Sequence, residues 1–180
     1  MDDIVRQALA KWPNVPDCYG WLALDARGDY YMRDDQTQAN GAFGSCPAAR
    51  GSRIEHDKLN AFIHRNYAAD KRGAWFFQNG PQRVYVELEA APFVWRVPSD
   101  KTATDLISHN DYSCSANHFY LDEIGRVFAL TELGFGIIHT QDVHAIADRF
   151  EQLSITPVEL PFASMPEHFG FVRSPATALR

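Results

Sequence analysis

The stretch GAWFFQNGPQRVYVELEAAPF, Gly73–Phe93, decides the fold class because it contains two β-strand patterns separated by a turn. Aromatic residues dominate the first run, 74–78, and in the second run, 83–89, aliphatic residues alternate with other types. Such alternation is typical of a strand with one buried face and one face in solvent. The stretch therefore predicts a pair of strands in which Tyr85 and Glu87 face water.

The connection between these strands, residues 79–82, predicts a four-residue loop rather than a tight turn. Pro81 has no N–H to donate to a strand ladder, and a residue before proline favours an extended conformation. We therefore expect Gly80 to be extended and Gln82 and Arg83 to lie at the tip. Hairpin tips are usually structural, but exposure makes Gln82 and Arg83 candidate ligand-binding residues.

Patterns outside this stretch predict the remaining elements. The polar segment 33–52 predicts a long loop that is either functional or mobile. Apolar residues at helical spacing predict helices, and turn residues between apolar runs predict two hairpins. The expected elements are a capped helix after Asp2 and Asp3 with the apolar stripe Ile4, Val5, Ala8, Leu9 and Trp12; hairpins over 19–32 and 118–130; helices over 54–67 and 140–153; a strand over 93–97; and irregular strands over 157–172.

Three short sequence echoes occur in the same order in the two halves of the chain. They predict an α+β fold of two similar units, each with a β-hairpin, a helix and a strand, and a largely antiparallel sheet. The expected organisation is an N-terminal unit, 1–98, a connecting segment, 99–117, and a C-terminal unit, 118–180, within one compact structure. The echoes are Leu24–Gly28 with Leu121–Gly125, Ile54–His56 with Ile137–His139, and Val86–Leu88 followed by Pro92-Phe93 with Val158–Phe162.

Composition and charge exclude several classes of protein. The net charge is −6 and there is no dense run of Lys or Arg, so no nucleic-acid partner is expected. Basic residues are mostly Arg, which suits a small anionic ligand. No apolar run reaches the length of a membrane span, and the acidic start lacks the pattern of a signal peptide. Three cysteines without a CxxC pair predict reduced thiols and a cytoplasmic location.

The densest polar cluster surrounds Ser113-Cys114-Ser115 and falls in the predicted connecting segment. His109, Asp111 and His118 flank it, so one hypothesis is a small-molecule enzyme with His as general base and Cys114 or a bound water as nucleophile. The alternative interpretation is a solvated loop with an incidental cysteine. The sequence contains no G-x-S-x-G motif and no Gly-rich phosphate loop after a strand.

The histidine spacing does not predict a metal site, and no cofactor is expected. His139 and His144 are five residues apart, beyond the shared helical face of i, i+4 ligands. His56 and His64 could share a face, but no Cys or carboxylate accompanies them at a recurrent ligand spacing. We expect His56 and His139 to satisfy backbone groups at helix N-termini.

The aromatic residues of the strands leave two interpretations open. They either fill the core, as Trp and Phe do in small sheets, or form an exposed face through which a homodimer could assemble. The residues concerned are Trp75, Phe76, Phe77, Tyr85 and Trp95.

Gly51–Ile54, Arg65–Tyr67 and the strand pair 73–89 resemble a mainly proteobacterial family of uncharacterised proteins. The resemblance covers about residues 12–97 and implies no catalytic residues. The Gly-Ser-x-Ile turn and the close at Ala91–Phe93 are similar to a second uncharacterised bacterial family, which implies a fold of repeated α+β motifs and a regulatory or signalling role. The favoured function is thus a non-catalytic module that binds a small anionic ligand or a partner protein, and the alternative is the enzyme described above.

Overall fold

The computed structural model describes residues 1–99 and 104–179. The chain divides into two compact units, which are described separately. The first contains residues 1–25, 29–89 and the segment from residue 170 onward, and the second contains 26–28 and 90–169. Strands occupy much of the segment 99–117 that the sequence predicted to be a connection, and residues 100–103 of it lie outside the described residues.

The elements follow the chain in this order. The strands are β1 (Cys18–Leu24), β2 (Tyr30–Met32), β3 (Ser52–Arg53), β4 (Tyr67–Ala69), β5 (Trp75–Asn79), β6 (Gln82–Leu88), β7 (Phe93–Arg96), β8 (Asp105–Ser108), β9 (Ser113–Leu121), β10 (Val127–Thr131), β11 (Gly134–Ile138) and β12 (Val158–Glu159). The helices are α1 (Asp3–Lys11), α2 (Asp35–Ala39), α3 (Asp57–Arg65), α4 (Val143–Leu153), α5 (Met165–Phe169) and α6 (Pro175–Ala178).

The first unit is built on a sheet with the strand order β3-β2-β1-β6-β5-β4. Its neighbouring strands are antiparallel except for the central pair, in which β1 and β6 run parallel and Leu24 lies opposite Leu88. The second unit forms a closed ring, β7-β8-β9-β10-β11, in which β11 returns to β7. Closure removes open edges from these five strands. The predicted α+β class with mostly antiparallel strands is confirmed.

The predicted repeat is confirmed in the turns of the two hairpins. In the first, Asp25 Oδ1 accepts a hydrogen bond from the Asp29 backbone N–H at 2.9 Å. In the second, Asp122 Oδ1 accepts one from the Arg126 N–H at 2.7 Å. Both carboxylates are buried. Short Asp side chains stabilise turns in this way because they bond to backbone groups a few residues on.

The other two echoes also correspond to equivalent structure. The imidazole Nδ1 of His56 accepts from the Leu59 N–H at 3.3 Å at the start of α3, and that of His139 accepts from the Gln141 N–H at 3.1 Å before α4. Both histidines therefore bond to helical N–H groups, as predicted. The third echo supplies a strand parallel to the first strand of the hairpin in each unit, β6 beside β1 and β12 beside β9.

The strand β6 differs from its prediction because both of its faces are buried. Tyr85 is 0% exposed and Glu87 is 3% exposed. The segment from residue 170 onward covers this face, and the Glu87 carboxylate accepts bonds from Ser174 Oγ at 2.5 Å and Ala176 N at 2.9 Å. The alternation of aliphatic with other residues could not reveal that a segment more than eighty residues away covers the second face.

Three other predictions require correction. In α1 only Val5 is buried, whereas Ile4 and Trp12 of the predicted apolar stripe are exposed. The predicted loop 33–52 contains α2 and a short 3-10 helix, and the buried Arg33 donates to backbone oxygens of this segment. The predicted irregular strands over 157–172 are reduced to β12, followed by α5.

Candidate functional site

The predicted cluster around Cys114 lies on β9 and on the turn that joins β9 to its antiparallel neighbour β8. His109 is held at this turn by the backbone of β7: its N–H donates to Val94 O at 2.8 Å, and its Nδ1 accepts from Val94 N at 3.3 Å. Asp111 is exposed and occupies the left-handed region with a φ of 67°. These contacts give His109 a structural role in the turn.

Cys114 and His118 lie on β9 in different environments. Cys114 is buried opposite Leu106, whereas His118 is exposed and lies opposite Leu130. Burial raises the pKa of the Cys114 thiol to about 11, so the thiol stays protonated near neutral pH. A reactive cysteine needs the opposite shift, because the thiolate is the nucleophile. The surroundings of Cys114 therefore do not produce the reactive thiolate that the enzyme hypothesis requires of this residue.

The β5–β6 connection is tighter than the predicted four-residue loop. Asn79 pairs with Gln82, so the turn contains only Gly80 and Pro81, and Gly80 has a φ of 57° instead of an extended conformation. A positive φ at the first central residue followed by proline matches a type II′ turn, since type I′ needs positive φ at both positions. Pro81 is tolerated here because the paired residues on either side supply the ladder N–H groups.

Gln82 and Arg83 follow this turn, and their side chains have separate contacts. Gln82 Nε2 donates to Pro16 O at 3.0 Å and therefore fixes the approach to β1. The Arg83 guanidinium lies over the Phe76 ring, 4.9 Å from its centroid. Arg83 is exposed and lines a concave site.

We call this site the basic pocket. Its volume is about 500 Å³, and it lies beside the β4–β5 turn, over the face of the first unit's sheet that carries Phe76 and Arg83. Among the described residues that line it, three side chains are cationic and one is acidic. The lining residues are Ala69, Asp70, Lys71, Arg72, Phe76 and Arg83.

Asp70 organises the turn that presents the cationic side chains. Its Oδ1 accepts from the backbone N–H groups of Arg72 at 2.9 Å and Ala74 at 3.1 Å, and its Oδ2 accepts from the Arg72 guanidinium at 2.9 Å and the Tyr85 hydroxyl at 3.1 Å. Burial raises the pKa of Asp70, but these hydrogen bonds outweigh burial and lower the pKa below its ordinary value. The carboxylate is therefore charged and fully engaged at neutral pH.

Aromatic side chains support the pocket from the sheet. Tyr85, whose hydroxyl bonds to Asp70, stacks on Tyr19 with ring centroids 4.7 Å apart and an interplanar angle of 3°. Phe76 packs edge-to-face on Tyr85 at 5.7 Å. Burial raises the pKa of Tyr85, so its hydroxyl keeps the proton that it donates to Asp70. The polar residues of the pocket therefore rest on a rigid aromatic base.

Sequence reasoning missed Asp70, Lys71 and Arg72, which follow the predicted helix 54–67 and were not proposed as site residues. A signal was present, because Asp70–Gly73 has the same D-x-x-G spacing as Asp25–Gly28 and Asp122–Gly125. The three glycines all have positive φ, at 88°, 79° and 81° in chain order. The Asp70 turn differs in carrying two adjacent cationic residues between the Asp and the Gly.

Comparison with known families gives the chain a family but no activity. A family model named DUF2944, described as a protein of unknown function (DUF2946), matches residues 1–176. The chain belongs to the DUF2944 family. This membership confirms the predicted resemblance to an uncharacterised family. A search of curated proteins returned no match to this DUF2944 protein.

Two solved structures share the fold of this DUF2944 protein. One is a DUF1285 family protein from Silicibacter pomeroyi DSS-3, with 12% identity, a TM-score of 0.50 and coverage of 82% of this chain and 84% of that chain. The other is a DUF1285 family protein from Shewanella baltica OS155, also with 12% identity and a TM-score of 0.50, covering 76% of this chain and 97% of that chain. At this identity the likeness establishes fold alone, and it agrees with the predicted similarity to a second uncharacterised bacterial family.

The aromatic strand residues of this DUF2944 protein fill its core. Phe76, Phe77, Tyr85 and Trp95 are buried and Trp75 is half-buried, so they do not form the exposed face considered from the sequence. A different apolar groove of about 240 Å³ lies beside α3, with Trp21, Met32 and Leu59 exposed along it. The homodimer therefore has no support from the strand aromatics.

The structure was also searched for a metal site and for a membrane-spanning helix. Within residues 1–99 and 104–179, no group of three or more His, Cys, Asp or Glu side chains is arranged to hold a metal ion. None of the helices in the described part of the chain combines the length and the apolar character needed to cross a membrane.

Proposed function

We propose that this DUF2944 protein is a cytoplasmic, non-catalytic binding module that holds a small anionic ligand in the basic pocket, with a regulatory or signalling role. The observation that carries the proposal is the concentration of Lys71, Arg72 and Arg83 around one cavity of a protein whose net charge is −6. Such a local reversal of charge attracts anions that the rest of the surface repels.

The size and shape of the pocket also support a small ligand. A volume of about 500 Å³ falls within the range of small-molecule sites, which is about 300–1,000 Å³. The Arg83 guanidinium is steadied over Phe76 and presents planar N–H donors suited to carboxylate or phosphate. Among the described residues that line the pocket, no pair resembles a nucleophile and its base, which favours binding over catalysis.

The test is the thermal midpoint of the purified protein against nucleotides, organic acids, phosphorylated metabolites and divalent metals. A ligand of the native state at one hundred times its Kd stabilises by about 2.7 kcal/mol. We expect an anionic compound to raise the midpoint, the Arg83→Ala variant to lose that rise, and the Lys58→Ala variant to keep it. Lys58 is a suitable control because it is exposed on α3 and does not line the pocket.

Two results would contradict the proposal. If no anion in the panel stabilises the wild-type protein, the basic pocket is not a ligand site, and a partner protein becomes the next occupant to test. Reproducible turnover of a compound that depends on Arg83 or Lys71 would exclude a non-catalytic module.

A further inference from the structure

The charges of the basic pocket divide into a pair that is already neutralised and a pair that faces the cavity. Arg72 binds Asp70 Oδ2 through Nε at 3.0 Å and through its terminal nitrogen at 2.9 Å, which is a forked ion pair within one turn. The same Arg72 nitrogen also reaches the Tyr85 hydroxyl at 3.4 Å. These hydrogen bonds raise the pKa of Arg72. Arg72 therefore neutralises and positions Asp70.

Lys71 and Arg83 are the two cations that remain for a ligand. Lys71 is exposed at the centre of the Asp70 turn and forms no ion pair with the residues that the structure describes. Arg83 is exposed on β6 and is oriented by the Phe76 ring. Because Arg72 neutralises Asp70, the pocket offers a ligand two positive charges. Lys71 supplies one from the β4–β5 turn, and Arg83 supplies the other from β6 of the same sheet.

Resting on the proposed function, we infer that the ligand is a low-molecular-weight phosphate monoester, bound by Lys71 and Arg83. A phosphate monoester carries about −1.5 to −2 charges at pH 7, which matches two cations, whereas a carboxylate or sulfate ester carries one. Arg holds phosphate through parallel N–H donors, and Lys adds a point charge. Phosphate has three strong acceptor oxygens and can engage both groups together.

The cavity also indicates that the ligand has an organic part. Its volume of about 500 Å³ exceeds what one phosphate group fills, and its lining includes the apolar groups of Ala69 and Phe76. An organic substituent can lie against these groups while the phosphate contacts the cations. The two other D-x-x-G turns have Ala26-Arg27 and Glu123-Ile124 at the positions of Lys71-Arg72, so this cationic pair is particular to the pocket.

The experiment compares phenyl phosphate, phenyl sulfate and inorganic phosphate by isothermal titration calorimetry at pH 7.5 and low salt. The first two probes have nearly the same shape and differ by about one charge. We expect phenyl phosphate to bind about tenfold more tightly than phenyl sulfate, since one extra charge between two exposed cations contributes on that scale. We expect inorganic phosphate to bind more weakly than phenyl phosphate because it lacks the organic part.

Variants that remove one charge test whether the preference for phenyl phosphate over phenyl sulfate arises in the basic pocket. Lys71→Gln and Arg83→Gln should each reduce phenyl phosphate affinity about tenfold and bring it close to that of phenyl sulfate, while Lys58→Gln retains the wild-type preference. Both substituted side chains are exposed, so each variant is expected to fold, which circular dichroism checks.

The outcomes separate this inference from the proposed function. Equal affinity for phenyl phosphate and phenyl sulfate, with loss of both in Arg83→Gln, would keep the anion site and overturn the phosphate assignment. Equal affinity for inorganic and phenyl phosphate would overturn the monoester assignment in favour of free phosphate. Failure of all three probes to bind the wild-type protein would overturn the phosphate monoester assignment, and the thermal panel of anions would then decide whether the basic pocket is a ligand site.

Discussion

Asp70 links the local structure of the basic pocket to its charge, because one carboxylate fixes a turn, a guanidinium and a tyrosine. We expect Asp70→Asn to lower the free energy of unfolding by about 2 kcal/mol at pH 7, since an amide cannot accept the same set of hydrogen bonds and leaves Arg72 unpaired. Urea unfolding measures the change. Asp148→Asn, on the exposed face of α4, is the matched control and should change stability little.

The pH dependence of this effect has a defined sign. The pKa of Asp70 is lower in the folded protein than its ordinary value, so its stabilisation is fully present above that ordinary value of about 4. It is lost as the pH falls through the lowered folded value. The stability difference between wild type and Asp70→Asn should therefore be constant from pH 6 to 8 and shrink below about pH 4. A difference that grows on acidification would show that Asp70 is not stabilised as an anion.

The reactivity of Cys114 tests the hypothesis that this residue is a catalytic nucleophile. Cys114 is buried with a pKa of about 11, whereas Cys46 is exposed. We expect iodoacetamide at pH 8 to label Cys46 at least about tenfold faster than Cys114, because only the thiolate reacts and burial limits access. Peptide mass mapping over time measures both rates in one sample. Preferential labelling of Cys114 would restore it as a candidate nucleophile.

Among the helices, α3 and the short 3-10 helix that precedes α4 share an uncommon N-terminal cap, a histidine whose Nδ1 accepts a backbone hydrogen bond. We expect His56→Ala to destabilise the protein by about 1 kcal/mol and His56→Asn to retain most of the stability, because Asn also supplies a short acceptor. Thermal unfolding measures the difference, with the exposed His144→Ala as control. Equal stability of His56→Ala and wild type would show that the cap is dispensable.

The D-x-x-G turns that begin at Asp25 and Asp70 have the same backbone hydrogen bonding but differ in the arginine that pairs with the carboxylate. Asp25 and Asp70 make equivalent bonds to the backbone of a D-x-x-G turn, yet Asp25 pairs with Arg50 from outside its turn, at 2.7 Å. Asp70 pairs instead with Arg72 of its own turn. Because the partner is local, the turn at Asp70 neutralises its own carboxylate and leaves the neighbouring Lys71 to face the pocket.

For the whole molecule, the sequence predicted the features that depend on short-range chemistry. The α+β class, the repeated Asp turns and the histidine caps each follow from a few adjacent residues, and the structure contains all of them. These features are predictable because the hydrogen bonds that stabilise them join residues at most a few positions apart.

The burial of β6 and the composition of the basic pocket could not be predicted, because they depend on contacts between segments that are distant in the sequence. Tyr85 and Glu87 were assigned to a solvent-facing surface, but the segment from residue 170 onward covers them. The basic pocket joins Arg83 on β6 to Asp70 and Lys71 in the β4–β5 turn, and their adjacency follows from the pairing of β5 with both β4 and β6. Gly80 and Pro81 set the pairing of β5 with β6 because they form a two-residue turn, where the sequence predicted a four-residue loop.

Amide chemical shifts recorded during a phenyl phosphate titration show directly whether the basic pocket is the ligand site. We expect saturable shifts for residues 69–74 and 82–85 in the wild-type protein and loss of those shifts in the Arg83→Gln variant. Residues 105–118, which contain the sequence-predicted cluster of His109, Asp111, Cys114 and His118, should remain unchanged. Saturable shifts confined to 105–118, or no saturable shifts at all, would show that the basic pocket does not bind this ligand.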